Sequence, residues 1–195
     1  KGAIRAIVQA DDSDVAKEIA KWYEEMLEAE KQEAQKWIEK LCSEERQRDY
    51  QEEKERIEKR YTEAIDAASA CYLFGIREFN NTPKLLFNDL RLREECRDLK
   101  KCFSIDAKTS IDCSGTEPKS NPRTYKAVRK GMEFDGEIEF YHFDEEICQK
   151  CKKYLIQNLE KFNDGIYRLG GSKSRGYGKI HVSILEDGRE DSEEL

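Results

Sequence analysis

The chain holds 195 residues, 37% hydrophobic and 39% charged, with a net charge of -7. That length suffices for one domain with its own core plus an appended helical element, and no apolar run is long enough to span a bilayer, so a soluble, cytoplasmic protein without a membrane partner is expected. Seven cysteines are an odd count in a chain without secretory features, which favours reduced thiols or a metal site over a disulfide framework.

Residues 1 to 10 read as the first turns of a helix with Ile4, Ile7 and Val8 on one side. Asp11-Asp-Ser-Asp14 supplies N-cap chemistry. Beyond it Val15, Ile19, Trp22, Met26, Ala29, Trp37 and Leu41 recur at helical spacing, continued by Tyr50, Ile57, Tyr61, Ala64, Ile65 and Ala68. With no Gly or Pro between Gly2 and Gly75, and a second cap at Ser43-Glu-Glu, residues 11 to 70 are predicted to form a long helical hairpin. Its amphipathic pattern suits packing on a sheet or a neighbouring subunit. As a docking arm it would be anchored by Trp22 and Trp37.

Lys84 to Leu92 alternates as a strand, and with both faces apolar it reads as a central one. Residues 100 to 130 are polar and hold Gly115, Pro118 and Pro122, so they form a long excursion. Met132 to Phe143 alternates again, with Gly136 as a weak point. Asp144-Glu-Glu opens a helix to about Phe162, with Ile147, Cys151, Tyr154, Leu155, Leu159 and Phe162 inward. A strand over Gly178 to Leu185 and an acidic tail at residues 187 to 195 complete the chain.

Between that helix and that strand runs Tyr167-Arg-Leu-Gly-Gly-Ser-Lys-Ser-Arg-Gly-Tyr-Gly-Lys-Ile-His181. Gly170, Gly171, Gly176 and Gly178 let a phosphate backbone lie on main-chain N–H groups, and Lys173, Arg175 and Lys179 supply charge for a polyanion. A plain helix-to-strand turn is the competing reading. The acidic balance does not oppose it: residues 11 to 70 hold 19 acids against 11 bases and residues 186 to 195 hold 6 against 1, leaving 23 bases against 17 acids elsewhere.

The run G-G-S-K-S-R-G-Y-G-K-I resembles the C-terminal glycine-rich signature of the RAMP superfamily of CRISPR proteins, in particular the guide-RNA-binding backbone subunits of type III effector complexes. Lys1-Gly-Ala-Ile-Arg5 looks like the end of the family's G-S-S-L-K-G-x-x-R motif. Leu73-Phe-Gly75 and Leu85-Leu-Phe-Asn-Asp-Leu-Arg91 look like its "LFG" and "L-x-F-x-D-A" segments. Thr109-Ser-Ile-Asp112 through Arg129-Lys-Gly-Met-Glu-Phe134 looks like its "T-x-I-D-R-x-T-G … E-x-V-P-A-G-x-x-F" stretch, with Val128-Arg-Lys-Gly131 in place of V-P-A-G.

The resemblance implies an α+β, ferredoxin-like (RRM-like) RAMP domain from residues 1 to 10 and 71 to 186, with residues 11 to 70 as an inserted helical hairpin. It also implies that the family's first strand and the following loop, which in target-cleaving members carries the aspartate linked to RNA cleavage, are not in this sequence. No catalytic residue is therefore assigned. By the same resemblance the chain binds guide RNA through Lys1, Arg5, Gly170, Gly171, Ser172, Lys173, Ser174, Arg175, Gly176, Tyr177 and Lys179. Its excursion is a β-hairpin thumb between guide and target RNA, using Ile111, Arg123, Tyr125, Lys126, Arg129 and Lys130, and other RAMP subunits or domains are its protein partners. A disordered loop is the competing reading of the excursion.

No cofactor is required. Cys148-Gln-Lys-Cys151 falls on a helix and reads as two helix-face residues, one packed. Cys96, Cys102 and Cys113 are the better zinc candidates, without an evident fourth ligand. Two rival functions remain: a guide-processing endoribonuclease of the same superfamily using His142 or His181 as general base, and a structural subunit docking through the helical arm.

Overall fold

A computed structural model describes residues 1–41, 47–96, 98–112 and 119–185. The expected cap at Ser43, the positions Cys113, Gly115 and Pro118, and the acidic tail 187–195 lie outside these residues. The chain divides into two compact units, Lys1–Leu86 with Phe140–Leu195, and Phe87–Glu139.

The first unit is built on helices. α1 (Gly2–Gln9) buries Ile4, Ile7 and Val8, as its spacing requires. Ser13 then caps the next helix, its hydroxyl accepting the Ala16 N–H at 3.3 Å while Asp11 accepts the N–H of Ser13 at 3.2 Å. This is α2 (Asp14–Leu41), which packs along α3 (Gln47–Asp66), so the helical hairpin is formed. The stripe that α2 buries is Ala16, Ile19, Tyr23 and Leu27. It lies one residue on from Val15, Trp22 and Met26, which sit half-buried beside it. Tyr23 is fully enclosed because its hydroxyl donates to the Pro83 carbonyl at 2.7 Å, which satisfies the one polar atom the ring would otherwise strand.

A 3-10 turn (Ala70–Phe74) follows, buried at Ala70, Cys71, Leu73 and Phe74 and closed by Gly75 at φ 102°. α5 (Glu145–Glu160) buries Ile147, Cys151, Tyr154, Leu155 and Asn158. Cys148 is only half-buried, so the CxxC pair is divided as its helical position predicts. Among the described residues no helix is long and apolar enough to cross a membrane.

The strands are short. Lys84 to Leu92 is not one central strand but β1 (Lys84–Phe87) and β2 (Arg91–Leu92), paired with different partners. β5 (Phe134–Asp135) pairs antiparallel with β2, and β6 (Ile138–Tyr141) pairs with β1. The break falls where Leu90 lies against Gly136, in space that a Cβ there would occupy. Arg93 pins the β2–β5 pair, donating to Glu133 at 2.8 Å and to Asp135 at 2.9 Å.

In the second unit α4 (Leu99–Cys102) leads into β3 (Phe103–Asp112), antiparallel to β4 (Lys119–Val128) in a ten-pair register from Phe103↔Val128 to Asp112↔Lys119. The excursion is thus an ordered hairpin over its described residues. The mixed α+β class holds, and the described strands form three two-stranded ladders.

Gly178 to Leu185 is a correction: it has no strand ladder. Its side chains still alternate, Ile180, Val182 and Ile184 half-buried against exposed Lys179, His181, Ser183 and Leu185. In place of a partner strand, the Asn163 side chain accepts the Val182 N–H at 2.7 Å and donates to its carbonyl at 3.0 Å. One amide thus supplies what a neighbouring backbone would, at a single residue.

Candidate nucleic-acid interface

The glycine loop grows out of the end of α5. Phe162, 1% exposed, anchors the exit beside Tyr167, with ring centroids 6.3 Å apart. Gly165, at φ 75°, then turns the chain. The neck closes where the Leu169 N–H donates to the Gly178 carbonyl at 2.8 Å. Gly178 is obligatory there, since it holds φ 79° and an added Cβ would overlap the Leu169 carbonyl.

Within the loop Ser172 takes the left-handed region at φ 55°, Lys173–Arg175 forms one 3-10 turn, and Gly176 ends it at φ 95°. Arg168 braces this turn from below, donating to the carbonyls of Lys173 at 3.2 Å and Gly165 at 3.4 Å. Sequence reasoning missed Arg168 because a loop arginine beside glycines looks like any other cation. Its role follows only from the fold of the turn.

The outer side of the loop is open. A Cβ added at Gly170, Gly171 or Gly176 would meet no atom within 4 Å. Gly170 and Gly176 have their own reason to be glycine, with φ of 74° and 95°, whereas Gly171 has neither positive φ nor a close neighbour. Nothing among the described residues requires Gly171 to lack a side chain, so the clearance faces outward. Lys173, Ser174, Arg175 and Lys179 are exposed around this main chain, with Ser172 and Tyr177 half-buried. Among the described residues no carboxylate lies within ion-pair range of Lys173 or Lys179. The Lys179 stem crosses Gly165, whose Cβ position is 3.0 Å from its Cε, so that glycine makes room for the lysine. Lys1 and Arg5 lie on the exposed side of α1, which packs on α5.

The hairpin separates the remaining candidates. Alternation along its ladder places Ile111 and Lys126 on one face and Arg123 and Tyr125 on the other. The first face also carries Phe103, Ile105, Ala107 and Val128, with Ile105 76% and Ile111 67% exposed. The second carries Ser104, Asp106 and Lys108. Lys126 lies over the Phe103 ring, Nζ 4.3 Å from its centroid. Arg129 is not at the projecting end. Its backbone N–H and Nε donate to the Cys102 and Phe103 carbonyls, each at 2.9 Å, which clamps the base, and Lys130 follows beyond the strand. Sequence reasoning missed Phe103, Ile105 and Val128, although the period-two run Phe103, Ile105, Ala107 was there to be read.

Of the cysteine candidates, Cys102 is buried, its thiol directed at the Cys96 carbonyl at 3.1 Å and the Asp98 carbonyl at 3.3 Å. Among the described residues no group of three or more His, Cys, Asp or Glu side chains is placed to hold a metal ion. His142 and His181 are both exposed.

No family model matches the chain. A curated relative does: CRISPR system Cms endoribonuclease Csm3 of Methanocaldococcus jannaschii, 31% identical over 115 residues, which is 56% of this chain and 45% of that protein. The chain is related to the RAMP superfamily of type III CRISPR effectors. It thus spans a little under half the length of this relative. The RAMP resemblance carried by the sequence motifs is borne out.

Proposed function

We propose that this chain binds guide RNA as a backbone subunit of a type III CRISPR effector, on a ferredoxin-like RAMP fold. The open main chain of Gly170, Gly171 and Gly176, rimmed by Lys173, Arg175 and Lys179, carries the reading. The main-chain N–H groups of Gly170 and Gly171, without side chains in front of them and beside exposed cations, suit a ribose-phosphate strand better than a neutral ligand. Lys1 and Arg5 add phosphate contacts from α1. The hairpin acts as a thumb against target RNA, its apolar face of Ile105 and Ile111 meeting base faces while Arg123 and Lys126 meet phosphates. The α2–α3 hairpin is an insertion that contacts neighbouring subunits.

Binding of a labelled single-stranded guide RNA across a salt series tests this. Affinity falls steeply with salt, and the double variant Lys173→Ala/Arg175→Ala weakens binding alike for unrelated sequences and flattens the slope by about 0.7 for each phosphate no longer neutralised. A salt-independent affinity overturns the proposal.

The relative's name describes an endoribonuclease, and this favours a second reading in which the chain contributes to RNA cleavage. Cleavage of labelled repeat RNA that is abolished by His142→Ala or His181→Ala would establish it. Intact RNA after long incubation would remove it.

A further inference from the structure

A stacked ring pair closes β6, outside the loop and the hairpin. β6 ends at Tyr141, and His142 takes φ 58°, a left-handed conformation that a residue with a side chain seldom adopts. The turn folds the imidazole back on its neighbour, so the Tyr141 and His142 rings stack with centroids 3.8 Å apart and planes 15° from parallel. His142 Nδ1 lies 3.3 Å from the Asn81 carbonyl, which can only accept, so in the neutral ring Nδ1 is the donor and Nε2 the acceptor. The ring is thereby held on one face by Tyr141 and along one edge by the backbone, while the residue is exposed. A histidine serving the core would be enclosed, and an ordinary surface histidine would not be fixed at two places in an unfavourable backbone conformation. Lys84 adds a cation beside the stack, its Nζ 5.5 Å from the Tyr141 centroid.

We propose that the outer face of His142 is a stacking platform for one unpaired nucleobase of a bound RNA strand. The inference rests on the RNA-binding reading above and extends it from the phosphate backbone to a base. A flat ring pre-set on a second ring takes any base without sequence preference, because every base offers a π face, and Nε2 can accept from an exocyclic amine. Lys84 is placed to serve a neighbouring phosphate.

The test compares the full chain on two labelled strands of equal length, an adenosine oligoribonucleotide and the same sugar-phosphate backbone without bases. His142→Ala is expected to weaken the adenosine strand roughly tenfold and to leave the abasic strand unchanged, while His142→Trp, which keeps a stacking face, binds adenosine at least as well as the parent. Equal affinities of parent and His142→Ala for adenosine, or equal losses on both strands, overturn the platform and leave the backbone reading standing. If the parent binds neither strand, the RNA reading falls and the platform with it. Should His142→Ala fail to fold, His142→Trp against His142→Gln decides: the platform requires tryptophan to bind adenosine more tightly, and equality overturns it.

Discussion

The two units of this molecule hold themselves together by different means. Residues 1–86 with 140–195 bury Ile7, Ile19, Tyr23, Leu27, Leu73, Tyr154 and Phe162 almost completely, and their stability is that of a packed interior. Residues 87–139 contribute only Cys102 to the buried apolar set among the described residues, and they expose Leu90, Ile105, Ile111, Val128 and Phe134. Their order comes from backbone ladders and from polar clamps such as Arg93 and Arg129. A two-stranded ribbon of this kind is marginal by itself, so its apolar face has more to gain from a ligand than from its own fold. The stable unit therefore presents the glycine loop in fixed form, while the ribbon is a surface whose stability depends on what covers it.

The strongest challenge to that contrast is a pair of truncations. Leu27→Ala should destabilise the protein by about 2 to 5 kcal/mol in urea unfolding, whereas Ile105→Ser should shift stability by less than about 0.5 kcal/mol. Comparable losses would erase the distinction between the units.

Alkaline pH should separate the units as well. Burial pushes the Cys151 thiol up to about 12, with Cys148 adding to the shift and Lys150 opposing it. Burial raises Tyr23 and Tyr154 too, and all three belong to the first unit. The folded state keeps a thiol proton that the unfolded chain releases near 9.0, so this contribution is complete below that pH and is lost as pH rises toward about 12. The melting temperature should fall over that window, and Cys151→Ala should flatten the fall.

A smaller effect sharpens the account of the loop. Gly178→Ala should lose more than about 1 kcal/mol because of its positive φ and the Leu169 carbonyl, while Gly171→Ala should leave the thermal midpoint in place and weaken RNA binding. The subtlest test is amide exchange. β3 and β4 should exchange well before α2 and α5 in the free protein and gain protection when RNA is added. Uniform protection throughout would contradict the contrast between the units.

Helices were far more legible in the sequence than strands. Ile4, Ile7 and Val8, the Ser13 cap and the inward face of α5 follow from local spacing, because a helix settles its hydrogen bonds within itself. The α2 stripe was displaced by one residue because Val15, Trp22 and Met26 form a competing apolar row, and Tyr23 owes its buried place to Pro83, sixty residues away. Strand partners are not written locally at all. Lys84 to Leu92 looked continuous because the contact between Leu90 and Gly136 is invisible in a linear pattern. For Gly178 to Leu185 the alternation was readable, but nothing in it reveals that Asn163 stands where a strand would. The loop's composition announced its glycines and cations, though not the brace at Arg168, nor the absence of any internal reason for Gly171.

The β1–β6 ladder bears on how such a chain can vary. The Asn88 N–H donates to the Glu137 carbonyl at 3.1 Å, so the stretch between those residues leaves and returns at neighbouring backbone positions. That intervening stretch behaves as a cassette. Lengthening it, shortening it or exchanging it for a tight turn would leave the helical interior untouched, since the ladder already keeps the two ends together.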